Sequence, residues 1–107
     1  MAWTVEYLDE RVKAEFDSLS RGLRASFERI VRLVEENGLE RVGDPYVKHL
    51  EGPLWEIRMR DRDGIARAVY VTATGQRVVL VRFFSKKTQK TPRREIELAL
   101  KRAREVK

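Results

Sequence analysis

The chain contains no cysteine, and this absence excludes disulfide staples, thiolate zinc sites and cysteine nucleophiles. Its one histidine, His49, has no second imidazole to complete a His-rich metal site or a His–His acid–base pair. A structural or surface role is therefore the simpler reading of His49, and no metal or cofactor is expected. No run of about 18 apolar residues is present, so the sequence encodes no transmembrane helix. The first residues alternate polar and apolar and lack the apolar core of a secretory signal, so the expectation is a cytoplasmic protein with no membrane partner. Prolines are three and glycines six, and neither type clusters into a linker or a repeat.

What remains is 107 residues, 42% hydrophobic and 37% charged, with a net charge of +6. That is enough apolar material for one core and one domain spanning 1–107, and too much for a disordered tail. The charge is segregated. Residues 1–50 hold 8 Lys/Arg against 10 Asp/Glu, whereas residues 51–107 hold 15 against 7. The stretch from Phe84 to Arg94 contains five cations and no acid. A basic half on an otherwise neutral domain is the footprint of a polyanion partner, although a basic surface also serves plain solubility.

Periodicity gives the elements. Trp3, Val5 and Tyr7 alternate with Thr4 and Glu6, which predicts a short strand. Asp9 is placed to cap a helix striped by Leu8, Val12, Phe16 and Leu19. Ser20 is placed to cap a second helix, striped by Leu23, Phe27, Ile30 and Val34 and ended by Asn37-Gly38. Residues 39–53 carry two glycines and two prolines and read as an irregular crossing. From Leu54 the period is two. Strands are predicted from Leu54, over Ile65–Thr72 and over Val78–Phe84, with turns at Asp63-Gly64 and Thr74-Gly75. The last of these, almost wholly apolar, belongs inside the sheet. Thr91 as cap and Pro92 at the first helical position open a final helix. The order is β-α-α-β-β-β-α. The fold class is α+β: an N-terminal strand, a two-helix hairpin, a three-stranded antiparallel meander completing one mixed sheet, and a C-terminal helix.

Chemistry-bearing residues fall on the strands and the last loop. Arg58 and Arg60 share a strand face with Glu56, Arg67 lies on the next strand, and Arg82 lies within the apolar one. Such arginines fit either the wet outer face of a one-sided sheet or a concave surface that grips phosphates with planar forks of donors. Among arginines, Glu56 is expected to pair rather than to act as a base. Lys86, Lys87 and Lys90, with Thr88, Gln89 and Thr91, lead into the last helix, whose N-terminus favours an anion. Trp3 and Trp55 read as core packing, although an exposed tryptophan could also stack a base.

The stretches Leu54–Arg58, Arg67–Tyr70 and Phe83–Arg102, preceded by Lys48–Gly52, resemble the phage-derived HigB-type branch of the RelE/ParE toxin superfamily. The run FFSKKTQKTPRR is the most specific part. The resemblance implies the toxin of a type II toxin–antitoxin module: a RelE-like sheet backed by helices, and an mRNA interferase, that is, an endoribonuclease that cuts mRNA on the ribosome. It implies neutralisation by a cognate HigA-like helix-turn-helix antitoxin. It also implies Arg58, Arg67, Lys86 and Lys87 as catalytic residues, with Arg67 on the reacting phosphate. Arg60, Arg82, Gln89, Lys90, Arg93 and Arg94 are the implied RNA or ribosome contacts. The tyrosine or histidine that some relatives carry near the last helix is absent here. Cleavage would proceed by attack of the 2′-OH on the adjacent phosphate, with the arginines stabilising charge and Lys87 as a candidate base. Loss of Arg67 or Lys87 would then abolish cleavage with little change in stability. A ParE-like gyrase inhibitor and a noncatalytic nucleic-acid-binding module are the alternative readings.

Overall fold

The computed structural model describes residues 2–62, 64–87 and 90–107. The elements are β1 (Thr4–Tyr7), α1 (Glu10–Asp17), α2 (Arg21–Asn37), a short 3-10 turn (Leu39–Arg41), β2 (Val47–Glu51), β3 (Leu54–Asp61), β4 (Gly64–Ala73), β5 (Arg77–Lys86) and α3 (Arg93–Ala103). They form one five-stranded sheet in the order β1-β5-β4-β3-β2. β1 runs parallel to β5, and the other pairs are antiparallel. The meander therefore has four strands, one more than the period-two pattern predicts.

The additional strand is β2. Only Val47 and Leu50 are apolar in VKHLE, three apart rather than two, and the pairing with β3 shifts register between His49 and Glu51. The irregularity that breaks the ladder also breaks the pattern by which a strand is recognised. Gly52, at φ +53°, turns the chain into β3. Asp63, expected in the next turn, lies outside the described residues.

The two N-terminal caps form as expected. The Asp9 carboxylate accepts the Arg11 and Val12 N–H groups at 3.0 and 3.4 Å. Ser20 Oγ accepts the Leu23 N–H at 3.2 Å and donates to Asp61 of β3 at 2.9 Å. Ser20→Ala removes both contacts. It is expected to cost about 1 kcal/mol and to lower the unfolding midpoint by ~4–8 °C, with Ser20→Thr retaining most of both. An unchanged midpoint for the alanine variant would show that the cap contributes nothing.

The sheet buries both faces. On one, α1 and α2 pack Val12, Phe16, Leu23, Phe27, Ile30 and Val34 over Ile57, Met59, Ala68, Leu80 and Phe83. The Phe83 ring lies 5.0 Å from Phe27 and 5.3 Å from Phe16, centroid to centroid. On the other, α3 packs Ile96 and Ala99 over Leu54, Val69, Val71, Val79, Val81 and Phe84. The β4–β5 register skips one residue: Val69 faces Arg82, and Tyr70 faces Leu80. The skip resets the alternation along β5. Leu80 and Phe83 therefore share one core, and Val81 and Phe84 the other.

α3 has 11 residues and spans about 16 Å at 1.5 Å per residue. β4 and β5 have 10 residues each and span about 33 Å. The helix therefore covers only part of its face, and the uncovered part is where the polar residues of β3, β4 and β5 gather.

Candidate active site

Glu56, Arg58 and Arg60 alternate along β3 and point to the α3 side of the sheet. The register places Arg58 directly opposite Arg67 of β4. Like charges in that position repel, so packing alone does not favour the pair. Glu56 lies between them, its Oε2 3.4 Å from Arg67 Nε and 3.9 Å from Arg58 Nε. Arg67 is 2% exposed. One of its terminal nitrogens donates to the Ala66 carbonyl at 3.0 Å, but its Nε makes no hydrogen bond among the described residues. Burial pushes the Arg67 guanidinium below its ordinary value, and Glu56 offsets this only in part. A dry, under-bonded arginine facing another arginine is an arrangement that an anion would complete.

Lys86 extends the cluster from the end of β5. It is buried, and desolvation, then the Arg67 charge, push its ammonium below the usual lysine value. Its Nζ lies 3.5 Å from Thr91 Oγ1, and the Thr91 hydroxyl donates to Glu56 Oε1 at 2.9 Å. Thr91 is thus not the cap of α3, as its sequence position predicts. Pro92 occupies the cap position with no side-chain hydrogen bond, and the helix begins at Arg93. The hydroxyl was drawn inward because a buried carboxylate binds it more strongly than a wet helix end does. Lys86, Thr91 and Glu56 form a continuous chain of polar atoms behind the arginines. No spacing rule in the sequence links Thr91 to Glu56, 35 residues away.

A hollow of about 220 Å³ opens at the two facing arginines, lined by Pro45, Tyr46, Arg58, Arg60, Ile65 and Arg67 among others. It lies where β3 outruns β2. The Tyr46 carbonyl accepts the Arg58 N–H at 2.8 Å, and Ser26 Oγ of α2 accepts the Arg60 N–H at 3.3 Å. The Arg60 side chain is exposed.

The other expected contacts divide. Lys87, Lys90 and Arg94 are exposed around the entry to α3. Thr88 and Gln89 lie outside the described residues. Arg93 is exposed but held by Glu51 at 2.6 Å, with Glu97 at 3.6 Å. Arg82, an expected RNA or ribosome contact, is partly exposed. Its guanidinium pairs with Glu95 at 2.7 Å and Glu15 at 2.8 Å, locking α3 to α1 across β5. Two carboxylates already neutralise the charge it would offer a phosphate. Trp3 is partly buried and donates to Glu40 at 3.2 Å. Trp55, on the same face as Ile57 and Met59 as expected, is 38% exposed because it borders an open hollow with Trp3, Val47 and Tyr70, with the His49 ring 5.0 Å away. His49 itself is an exposed residue whose Nε2 lies 2.9 Å from the Gly52 carbonyl.

A family model described as "Phage derived protein Gp49-like" (DUF891) matches residues 14–104. The chain belongs to the Gp49-like family. The matched stretch runs from α1 to the last turn of α3 and contains every member of the cluster around Glu56. Among solved structures, the archaeal RelE–RelB complex from Pyrococcus horikoshii OT3 is similar at a TM-score of 0.56. The match covers 79% of this chain and 96% of that one at 20% identity, and it establishes a RelE-like fold for this Gp49-like chain. No curated protein matches its sequence. Among the described residues, no helix is long and apolar enough to cross a membrane.

Proposed function

We propose that this protein is the toxin of a type II toxin–antitoxin module, of the HigB type, and that it inhibits translation as a ribosome-dependent mRNA endoribonuclease. The observation that carries the reading is the Arg58–Arg67 pair, set face to face with the Arg67 Nε unbonded, on the open part of a RelE-like sheet. A fold optimised only for stability would not place two arginines opposite each other there.

In this reading, the phosphate next to the attacked bond lies in the hollow. Arg58 and Arg60 meet it from the rim and Arg67 from the floor. The 2′-OH attacks, the O2′–P bond forms and the P–O5′ bond breaks, leaving a 2′,3′-cyclic phosphate and a 5′-OH. The arginines oppose the charge that builds on the phosphorane. The Lys86–Thr91–Glu56 chain receives the 2′-OH proton at one end and returns one to the 5′-oxygen from the other. Lys86 suits this exchange because burial already disfavours its charged form. Lys87, expected to be a catalytic base, is exposed just after β5; it joins Lys90, Gln89, Arg93 and Arg94 on the RNA backbone and the ribosome, and the buried Lys86 takes the proton-transfer role. The partner assigned is a HigA-like helix-turn-helix antitoxin, in line with the complex with RelB formed by the RelE protein of similar fold.

The test is a coupled transcription–translation extract with message 5′ ends mapped by primer extension. New ends within the coding sequence, dependent on translation, are expected for the wild type. Arg58→Ala, a half-exposed change, is expected to slow their appearance by roughly 10²–10³-fold. An intact message would refute the nuclease reading, and loss of gyrase supercoiling in the same preparation would replace it with the ParE-like one.

A further inference from the structure

Tyr46 is 43% exposed and takes no part in the core. Its backbone is nonetheless firmly placed. The Tyr46 N–H donates to Gly43 at 2.9 Å, and its carbonyl accepts the Arg58 N–H at 2.8 Å. The side chain borders the arginine hollow on one side, with Pro45 beside it. On the other it borders a second hollow, along α2, lined by Arg29, Arg32, Leu33 and Glu36 among others. Of the other large apolar residues left exposed, Trp55 has the His49 ring against it. Tyr46 has no ring or cation partner among the described residues. An aromatic face without a partner, standing between two groups of arginines, matches the way single strands are held. Bases stack on the ring, and cations take the phosphates on either side.

We propose that Tyr46 is a stacking platform for one base of single-stranded RNA, with the adjoining phosphate on Arg58 and Arg60 and the strand continuing toward Arg29 and Arg32. The proposal rests on the ribonuclease reading and adds to it a positioning residue. The hollow, at about 220 Å³, is smaller than the roughly 300–1,000 Å³ of a pocket for a drug-sized ligand. It suits a single strand rather than a duplex. Tyr46 would act by fixing the register of the strand over Arg58, with no proton to transfer.

The experiment uses short oligoadenylates methylated at every 2′-oxygen, so that they bind without being cut. Each carries one fluorescent adenine analogue whose emission falls on stacking, moved along the strand. Wild-type protein is expected to quench the analogue strongly at one position. Tyr46→Ala is expected to bind about 5–150-fold more weakly, the equivalent of about 1–3 kcal/mol per stacked base, and to show no quench even at saturation. Tyr46→Phe keeps both affinity and quench, and all three proteins melt at the same temperature. A quench and affinity in Tyr46→Ala equal to wild type would overturn the platform. So would a wild-type protein that cuts message in the extract but leaves the analogue unquenched at every position, and the nuclease reading would then survive. A wild type that neither cuts nor quenches overturns both.

Discussion

Arg67→Ala is expected to end cleavage and, at the same time, to lower the unfolding midpoint substantially. The guanidinium is 2% exposed and shares its surroundings with Glu56, which is 6% exposed. Removing one member of a buried pair leaves the other charge poorly compensated, at a cost of about 3–5 kcal/mol. Arg58 and Thr91 still face Glu56, so the low end, about 3 kcal/mol, applies. In a domain of this size that is ~12–24 °C in midpoint. The expectation from sequence, loss of activity with unchanged stability, assumes an exposed arginine, and the structure buries it. Stability and chemistry are separated by the double substitution Arg67→Met with Glu56→Gln. It removes both charges together, keeps an acceptor for Thr91, and is expected to restore most of the midpoint. Cleavage stays absent, because neither the guanidinium nor the carboxylate returns. Thermal denaturation and primer extension on the same preparations make the check. A double variant that cleaves like the wild type would remove Arg67 and Glu56 from the site.

Glu15→Ala is expected to produce the largest loss of stability among the polar substitutions, with no contact to the proposed RNA surface. Glu15 of α1 receives Arg82 at 2.8 Å, Arg102 at 2.9 Å and the Phe83 backbone N–H at 3.2 Å. Arg102 also donates to the Val81 carbonyl at 2.9 Å, at the point where β5 skips register. The side chains of Glu15, Arg82 and Arg102 are 17%, 22% and 9% exposed. Without the carboxylate, Arg82 keeps Glu95, but Arg102 loses the acid it pairs with and the Phe83 backbone donor goes unpaired. The cost is about 4 kcal/mol, a large share of the roughly 5–15 kcal/mol that holds a small domain together. Urea unfolding is expected to show a lower midpoint concentration with an unchanged slope. Glu15→Gln, which keeps an acceptor for Phe83, falls between. A wild-type midpoint for Glu15→Ala would mean that α1 and α3 are held by their apolar contacts alone.

Particular elements show what was legible before any coordinates. α1 and α2 follow from their apolar stripes, and Asp9 and Ser20 are read as caps because a cap is a local interaction spanning two or three residues. β1, β3 and β4 follow from alternation, and β5 from its apolar run, which feeds the cores on both sides of the sheet. β2 escaped because its pairing is irregular and its apolar residues are few. Arg58 and Arg67 were singled out by their position inside strands. Nothing in the sequence said that register would set them directly opposite each other.

The amino-acid sequence by itself determined every α-helix, four of the five strands and the concentration of cations in the second half. These depend on residue type and on spacings shorter than one helix turn or one strand. Tertiary structure alone decided which cations meet. It drew Arg82 into a structural joint between Glu15 and Glu95, and it turned Thr91 from helix cap to bridge between Lys86 and Glu56. It also left Tyr46 standing bare beside the arginines. Each of those outcomes turns on a partner on another element of the fold, and the one-residue skip in β5 and the short reach of α3 over its sheet have no local signature.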